Sequence, residues 1–365
     1  MLDPLEARLW AESTAHLVAG AETALIHEIT QSVWEGLGAG RYQVKRLAEL
    51  ATVRARLEQL LGRDWQMVID HAQAVLDLAR FAGQGQAVTD LKTAGLPATL
   101  PAGLAQAVEI IAADTLKHLT RMPAIALRDT VDAYQHIISS AAANTALGAQ
   151  TRINATQTAL NKFAARGITG FTDRAGRQWR MDTYAEMAVR TGATHALTYG
   201  WVNTMRVNGQ DLMQVSDHAY ECELCAPWEN KVLSITGQTR GTIHTPSELD
   251  PTRLVTVEVA GSYEEAKAAG LWHPNCGHTA HMYLPGVTRT PPAQHNQEAY
   301  AASQRQRYHE REIRRLKRLQ AAQLPVFPDE YGKRIRAHQA AIRQIVDEYP
   351  DLPRKRVREQ IRTAH

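Results

Sequence analysis

All three cysteines of this 365-residue chain fall in two short stretches. YECELCAPWENK carries Cys222 and Cys225 as a CxxC pair, and HPNCGHTAHMYLPG opens with His273 and Cys276 as an HxxC pair, followed by His278 and His281. Zinc takes about four thiolate or imidazole ligands in a tetrahedron, and each of these spacings lets one turn present two of them to one ion. The 47 intervening residues (226–272) are long for a finger but can close as a looped-out hairpin, with Pro274 and Gly277 shaping the second turn. The candidate metal set is therefore Cys222, Cys225, His273 and Cys276, with His278 as a substitute ligand, around a structural Zn2+. An alternative stands beside it. The same side chains could be packed loop residues, with Cys225 a small buried hydrophobe next to Pro227 and Trp228. A catalytic metal on His218, His278 or His281, or a thiol nucleophile paired with His273, is a weaker reading, because nothing fixes an orienting third residue.

Apolar residues make up 44% of the chain and alanine is abundant, which favours helices, since alanine loses no side-chain entropy on ordering. An odd cysteine count with a CxxC fits a reducing compartment better than a disulfide framework. No run of 18 apolar residues occurs, so no membrane partner is expected. The first residues, MLDPLEARLWAESTAHLVAG, lack a signal-peptide pattern, so synthesis in a bacterial cytoplasm is expected. Net charge is only +3, but it is uneven: from Glu298 onward there are 16 Lys/Arg against 9 Asp/Glu. A basic tail of this kind suits a phosphate backbone or an acidic protein face.

The expected fold class is mostly α: an elongated helical N-terminal region (1–165), a small α+β domain with the Cys/His cluster (166–292), and a basic helical tail (293–365). The pattern predicts a first helix ending at GLGAG (36–40). A second runs from Val44 to about Phe81, closed by FAGQGQ, with 83–101 irregular. A third spans Ala102 to Thr120, with RMP (121–123) as a boundary or kink, and a fourth segment runs from Pro123 to Ala165, ended by Arg166-Gly167. After Gly167, DLMQVSDH, KVLSITG and LVTVEV read as strands. SYEEAKAAG reads as a short helix with Ser262 and Glu265 as a capping box and Gly270 after its end. Asp173 and Arg177 could pair if their segment is helical. Arg190 could reach the acidic loops, and Trp179, Trp201, Trp228 and Trp272 are expected to anchor a small core. The tail helix from about Asn296 has a thin apolar stripe, so it must project or dock. No Walker A, dinucleotide fingerprint or HExxH motif is present.

The runs GITGFTDRAGRQWRMDTYAEMAVRT, GQDLMQVSDHAYECELCAPWENKVLSITG and GLWHPNCGHTAHMYLPG resemble the tailed-phage minor capsid protein 2 family, similar more broadly to Mu F-like and SPP1 gp7-like minor head proteins. The resemblance covers about 165–290. It maps family positions onto Asp173, Gly176, Arg177, Trp179, Tyr184, Met187, Arg190, Thr191, His218, Cys225, Trp228, Gly237, His273, Pro274, Asn275, Cys276 and His278. Broader relatives often end the last motif HPNCRC, so His278 stands here where they carry a cysteine. The resemblance implies a structural head protein of the virion rather than an enzyme. Its expected partners are the portal protein or the major capsid protein, with packaged DNA reached through the basic tail. Asp173, Arg177, Trp179, Arg190, His218, Trp228 and Asn275 are its interface or structural positions. The competing function is a metal-dependent nuclease or other DNA-processing protein built on the Cys/His cluster.

Overall fold

The computed structural model describes residues 4–35, 37, 42–102, 104–217, 222–274, 276–291, 296–354 and 356–360. The helices are α1 (Pro4–Trp34), α2 (Tyr42–Ala48), α3 (Leu50–Thr93), α4 (Leu104–Ala146), α5 (Arg152–Arg166), α6 (Met181–Val207), α7 (Tyr263–Ala268), α8 (Gln297–Ala321) and α9 (Tyr331–Glu348). The strands are β1 (Thr169–Thr172), β2 (Gln178–Arg180), β3 (Leu212–Val215), β4 (Val232–Ser234), β5 (Gly241–Pro246), β6 (Leu254–Ser262) and β7 (Ala280–Met282). The protein is thus mainly helical with a smaller β-containing region. Two compact units form, each from separated stretches. One draws on Ala72–Thr115 and Met187–Ser303 with the start of α1; the other on Glu12–His71, Leu116–Glu186 and Gln304 onward.

In the first unit, five strands form one sheet in the order β5-β6-β4-β3-β7, antiparallel except for the β4–β6 pair. Its core joins Ala87 and Leu91 of α3 with Trp201, Val202 and Met205 of α6, and with Met213, Leu233, Tyr263, Leu271 and Trp272. Trp201 Nε1 donates to Asp90 at 2.9 Å, satisfying the one polar atom of a buried ring. The expected end of a helix at FAGQGQ is corrected: α3 continues to Thr93. A Cβ on Gly83 would lie 2.0 Å from the Leu197 carbonyl oxygen, and one on Gly200 would lie 2.7 Å from that of Arg80. These glycines let α3 and α6 pack backbone to backbone. Their role is close approach, and a sequence reading cannot tell that from helix termination.

In the second unit, α4 runs unbroken through Pro123, so of the boundary or kink expected at RMP the boundary is corrected. Proline lacks the N–H that would bond the carbonyl four residues back. That carbonyl, Leu119, accepts instead from Trp65 Nε1 at 2.9 Å. The helical segment breaks later, between Ala146 and Arg152, where Thr151 caps α5 by accepting from Asn154 N. Gly167, at φ 77°, ends α5 as expected. A β1–β2 hairpin follows. The tail helix α8 docks within this unit, burying Ile313, Leu316 and Leu319. Two of its arginines are buried too. Arg314 lies 3.3 Å from Asp182 and 3.6 Å from Glu186, and Arg318 lies 3.6 Å from Glu22 and 3.8 Å from Asp182. Beyond α9, Arg358 meets Glu12 at 2.9 Å, Glu310 at 3.6 Å and Glu186 at 3.7 Å. Among the described residues, no helix is long and apolar enough to cross a membrane.

Candidate metal centre

Strand register brings the two cysteine stretches together. Gln214 of β3 pairs with Val232 and with His281, and Val215 pairs with Ala280. The β3–β4 connection, with Cys222 and Cys225, and the α7–β7 connection, with His273, Cys276 and His278, therefore leave the sheet at the same end of β3. Each connection then tightens into a turn. Cys225 N and Ala226 N both donate to the Cys222 carbonyl at 3.0 Å, and Cys276 N donates to that of His273 at 2.9 Å. A short 3-10 turn, Ala226–Trp228, follows the CxxC pair. On the other side, Gly270 takes φ 106° and Trp272 takes φ 59°. A left-handed backbone is unusual for a bulky residue and stores strain of about 1–3 kcal/mol. Here Trp272 is held by its surroundings: its ring is buried, its Nε1 donates to the His278 carbonyl at 3.1 Å, and its own carbonyl is bonded to His195 Nε2 at 3.0 Å.

Five donors result, arranged as two triads that share Cys225. Cys222, Cys225 and His273 form one, Cys225, Cys276 and His278 the other; within each, the donor atoms lie within 4.8 Å of one another. Cys222 Sγ is 3.0 Å from His273 Nε2, Cys225 Sγ is 3.6 Å from Cys276 Sγ, and Cys276 Sγ is 3.3 Å from His278 Nδ1. Sulfurs on a tetrahedral zinc with Zn–S bonds of about 2.3 Å stand roughly 3.8 Å apart, so the Cys225–Cys276 spacing suits that ion. Glu229 was not among the residues the sequence singled out for the site. It follows the 3-10 turn, is buried, and its Oε1 lies 2.6 Å from His278 Nε2. Glu229 follows Cys225 by four residues, and no spacing rule marks an acid there as a histidine's partner.

The electrostatics are those of a charge-bearing thiol site. The hydrogen bond with Cys225, and His278 beside it, hold the Cys276 pKa well below the usual thiol range, whereas the same contact and burial push Cys225 up. Burial disfavours a charged His278, but Cys276 and Glu229 outweigh it and raise the ring's pKa.

The other expected positions divide between places. Trp201, Trp228 and Trp272 gather in the core of the first unit. Trp179 lies instead in the β1–β2 hairpin, where its Nε1 and Arg177 Nε both donate to Asp173 Oδ2, at 3.3 and 2.7 Å. Asp173 and Arg177 do pair, but across a turn and not along a helix. Gly176 at φ 78° turns the chain, and the Arg177 backbone N–H, 2.9 Å from Asp173 Oδ1, leads the contacts that lower the aspartate to about 2. Arg190 is half-buried on α6. His218 and Asn275 lie outside the described residues. His281 is bonded to Gln214 Oε1 at 2.9 Å and joins neither donor triad.

The family model for phage minor capsid protein 2 matches residues 2–347. A curated relative, described as a structural protein of Lactococcus phage LL-H, is 24% identical over 235 residues, covering 62% of this chain. The match spans 61% of that relative's own length. No solved structure matches the chain. The family match reaches well beyond 165–290, into the helical and tail regions. The chain belongs to the phage minor capsid protein 2 family.

Proposed function

We propose that this protein is a structural component of the phage head, seated in the virion at the portal vertex or on the inner capsid, where it assists head assembly or DNA passage. The observation that carries this reading is the family match over residues 2–347, which includes segments of both compact units. Its partners on this reading are the portal protein and the major capsid protein. Co-expression of the three followed by sedimentation tests it: the chain should travel with portal or heads, and its failure to join either would overturn the reading. Contact with packaged DNA would fall to the exposed cations Arg305, Arg311, Lys333, Arg334, Arg336 and Arg343, since Arg314, Arg318 and Arg358 face carboxylates. Such contact should weaken steeply with salt as counterions are released from the phosphates.

The cluster's role on this reading is a zinc staple. When bound, zinc would supply coordination bonds that tie the CxxC connection to the HPNC connection, in place of a larger apolar core. The chemistry of the donors supports it: three cysteines and two histidines converge, and Cys225, Cys276 and His278 are buried. The segments 166–292 and 293–365 then serve as the stapled α+β part and the docked tail of one structural chain.

A further inference from the structure

The zinc reading offers five donors for four positions. We infer that His278, held by Glu229, is the imidazole ligand in a set completed by Cys222, Cys225 and Cys276, and that His273 stands outside that set as a hydrogen-bond partner of the Cys222 sulfur. This inference rests on the cluster holding zinc and on Cys222, which groups with Cys225 and His273 in the metal-free structure, closing onto the Cys225–Cys276–His278 triad around the ion.

The two histidines differ in how they are held. A metal-bound imidazole keeps its second ring nitrogen on a carboxylate or carbonyl, which fixes both tautomer and ring orientation. His278 has this arrangement in a buried setting: Nε2 lies 2.6 Å from Glu229, the two side chains are 3% and 0% exposed, and Nδ1 lies 3.3 Å from Cys276 Sγ. A buried carboxylate is costly without a partner, so Glu229 is a strong constraint on the ring. It is also placed by the site itself, because it directly follows the 3-10 turn that begins after Cys225. One turn thus presents a sulfur and the carboxylate that aims the imidazole. His273 is half-buried, and among the described residues its Nδ1 partner is the carbonyl of the next residue, Pro274, at 2.7 Å. That contact is local to the loop and ties the ring to no other element. At 3.0 Å from Cys222 Sγ, its Nε2 is placed to bond a ligating sulfur from outside the coordination shell.

The assignment makes Glu229 a positioning residue of the metal centre, and it is read out by the spectrum of Co2+ in place of zinc in the full-length protein. Thiolate-to-cobalt absorption grows with each sulfur. His278→Cys should keep the metal and gain a fourth thiolate, raising that absorption by about one third. His273→Cys should leave it at three, and His273→Ala should keep the wild-type spectrum. Glu229→Gln should retain one metal per chain but bind it about 10–100-fold more weakly. A gain in His273→Cys, alone or together with His278→Cys, or a loss of the tetrahedral spectrum in His273→Ala, overturns the assignment. Wild-type protein that binds neither metal defeats the zinc reading itself and this inference with it, an outcome distinct from a gain at the wrong histidine.

Discussion

The two compact units solve one problem, holding together segments far apart in sequence, with opposite chemistry. The second unit uses buried ion pairs: Arg318 with Glu22 and Asp182, Arg314 with Asp182 and Glu186, and Arg358 with Glu12, Glu186 and Glu310. The first unit uses an apolar core and, at one end of its sheet, thiols and imidazoles. Buried ion pairs are poor net stabilisers but severe to break, since removing one partner strands a charge in a dry interior. Soft donors are severe to break only if they hold a metal. The difference therefore teaches where each kind of substitution should be felt.

The largest expected effect is Arg318→Met, which leaves Glu22 and Asp182 without the guanidinium they share. Urea unfolding should show a loss of about 3–5 kcal/mol, with metal content unchanged, because the damage belongs to the second unit. An equally stable variant would mean that the ion pairs hold nothing together.

Gly83→Ala tests the apolar side of the comparison. Its Cβ would meet a backbone oxygen, which cannot swing away, so a loss near the top of the overpacking range is expected, about 3 kcal/mol by thermal or urea unfolding. If the pair Gly83 and Gly200 merely ended helices, alanine would be neutral or stabilising.

Acid should act through the ionic unit. Burial works against a charged Asp182, but Arg180, Arg314 and Arg318 outweigh it and hold its carboxyl at about 2. A carboxyl lowered on folding contributes stability above its unfolded pKa and loses it as pH falls through the folded one. The stability gap between wild type and Asp182→Asn should thus be complete near pH 5 and shrink by about 2 kcal/mol on the way to pH 2. Glu22 acts in the opposite sense: burial pushes its pKa up, so its charged form is penalised and acid relieves it. A gap that does not change with pH would contradict the charge assignment at Asp182.

The smallest effect expected is at the capping box of α7. Ser262 accepts from Glu265 N at 3.2 Å while the Glu265 carboxylate accepts from Ser262 N at 2.8 Å. Ser262→Ala should cost about 1 kcal/mol, measurable by thermal unfolding.

These residues also show what a sequence displays. The α7 capping box and the Gly167 stop are local patterns, three or four residues wide, and both were legible. The convergence of CxxC and HPNC was legible as chemistry, because each spacing lets one turn present two donors toward one point. Partners far along the chain were not. Arg314 and Arg318 read as part of a basic tail aimed at a phosphate backbone or an acidic partner face until Glu22 and Asp182 are seen beside them. Gly83 reads as a stop until Leu197 is seen against it. Ala87, Asp90 and Leu91 complete the core of the first unit from a helix that a boundary at 165/166 assigns elsewhere. Glu229 belongs to the same group, since only the folded chain sets it against His278.

The most direct measurement is native mass spectrometry of the full-length chain, purified without a metal-affinity tag. A mass one zinc ion above that of the polypeptide, lost on chelation and absent in Cys225→Ser, is the result expected of a stapled structural head protein. A folded chain at the bare polypeptide mass, even after zinc is supplied, would contradict the staple and leave the cysteine and histidine stretches as packed loops.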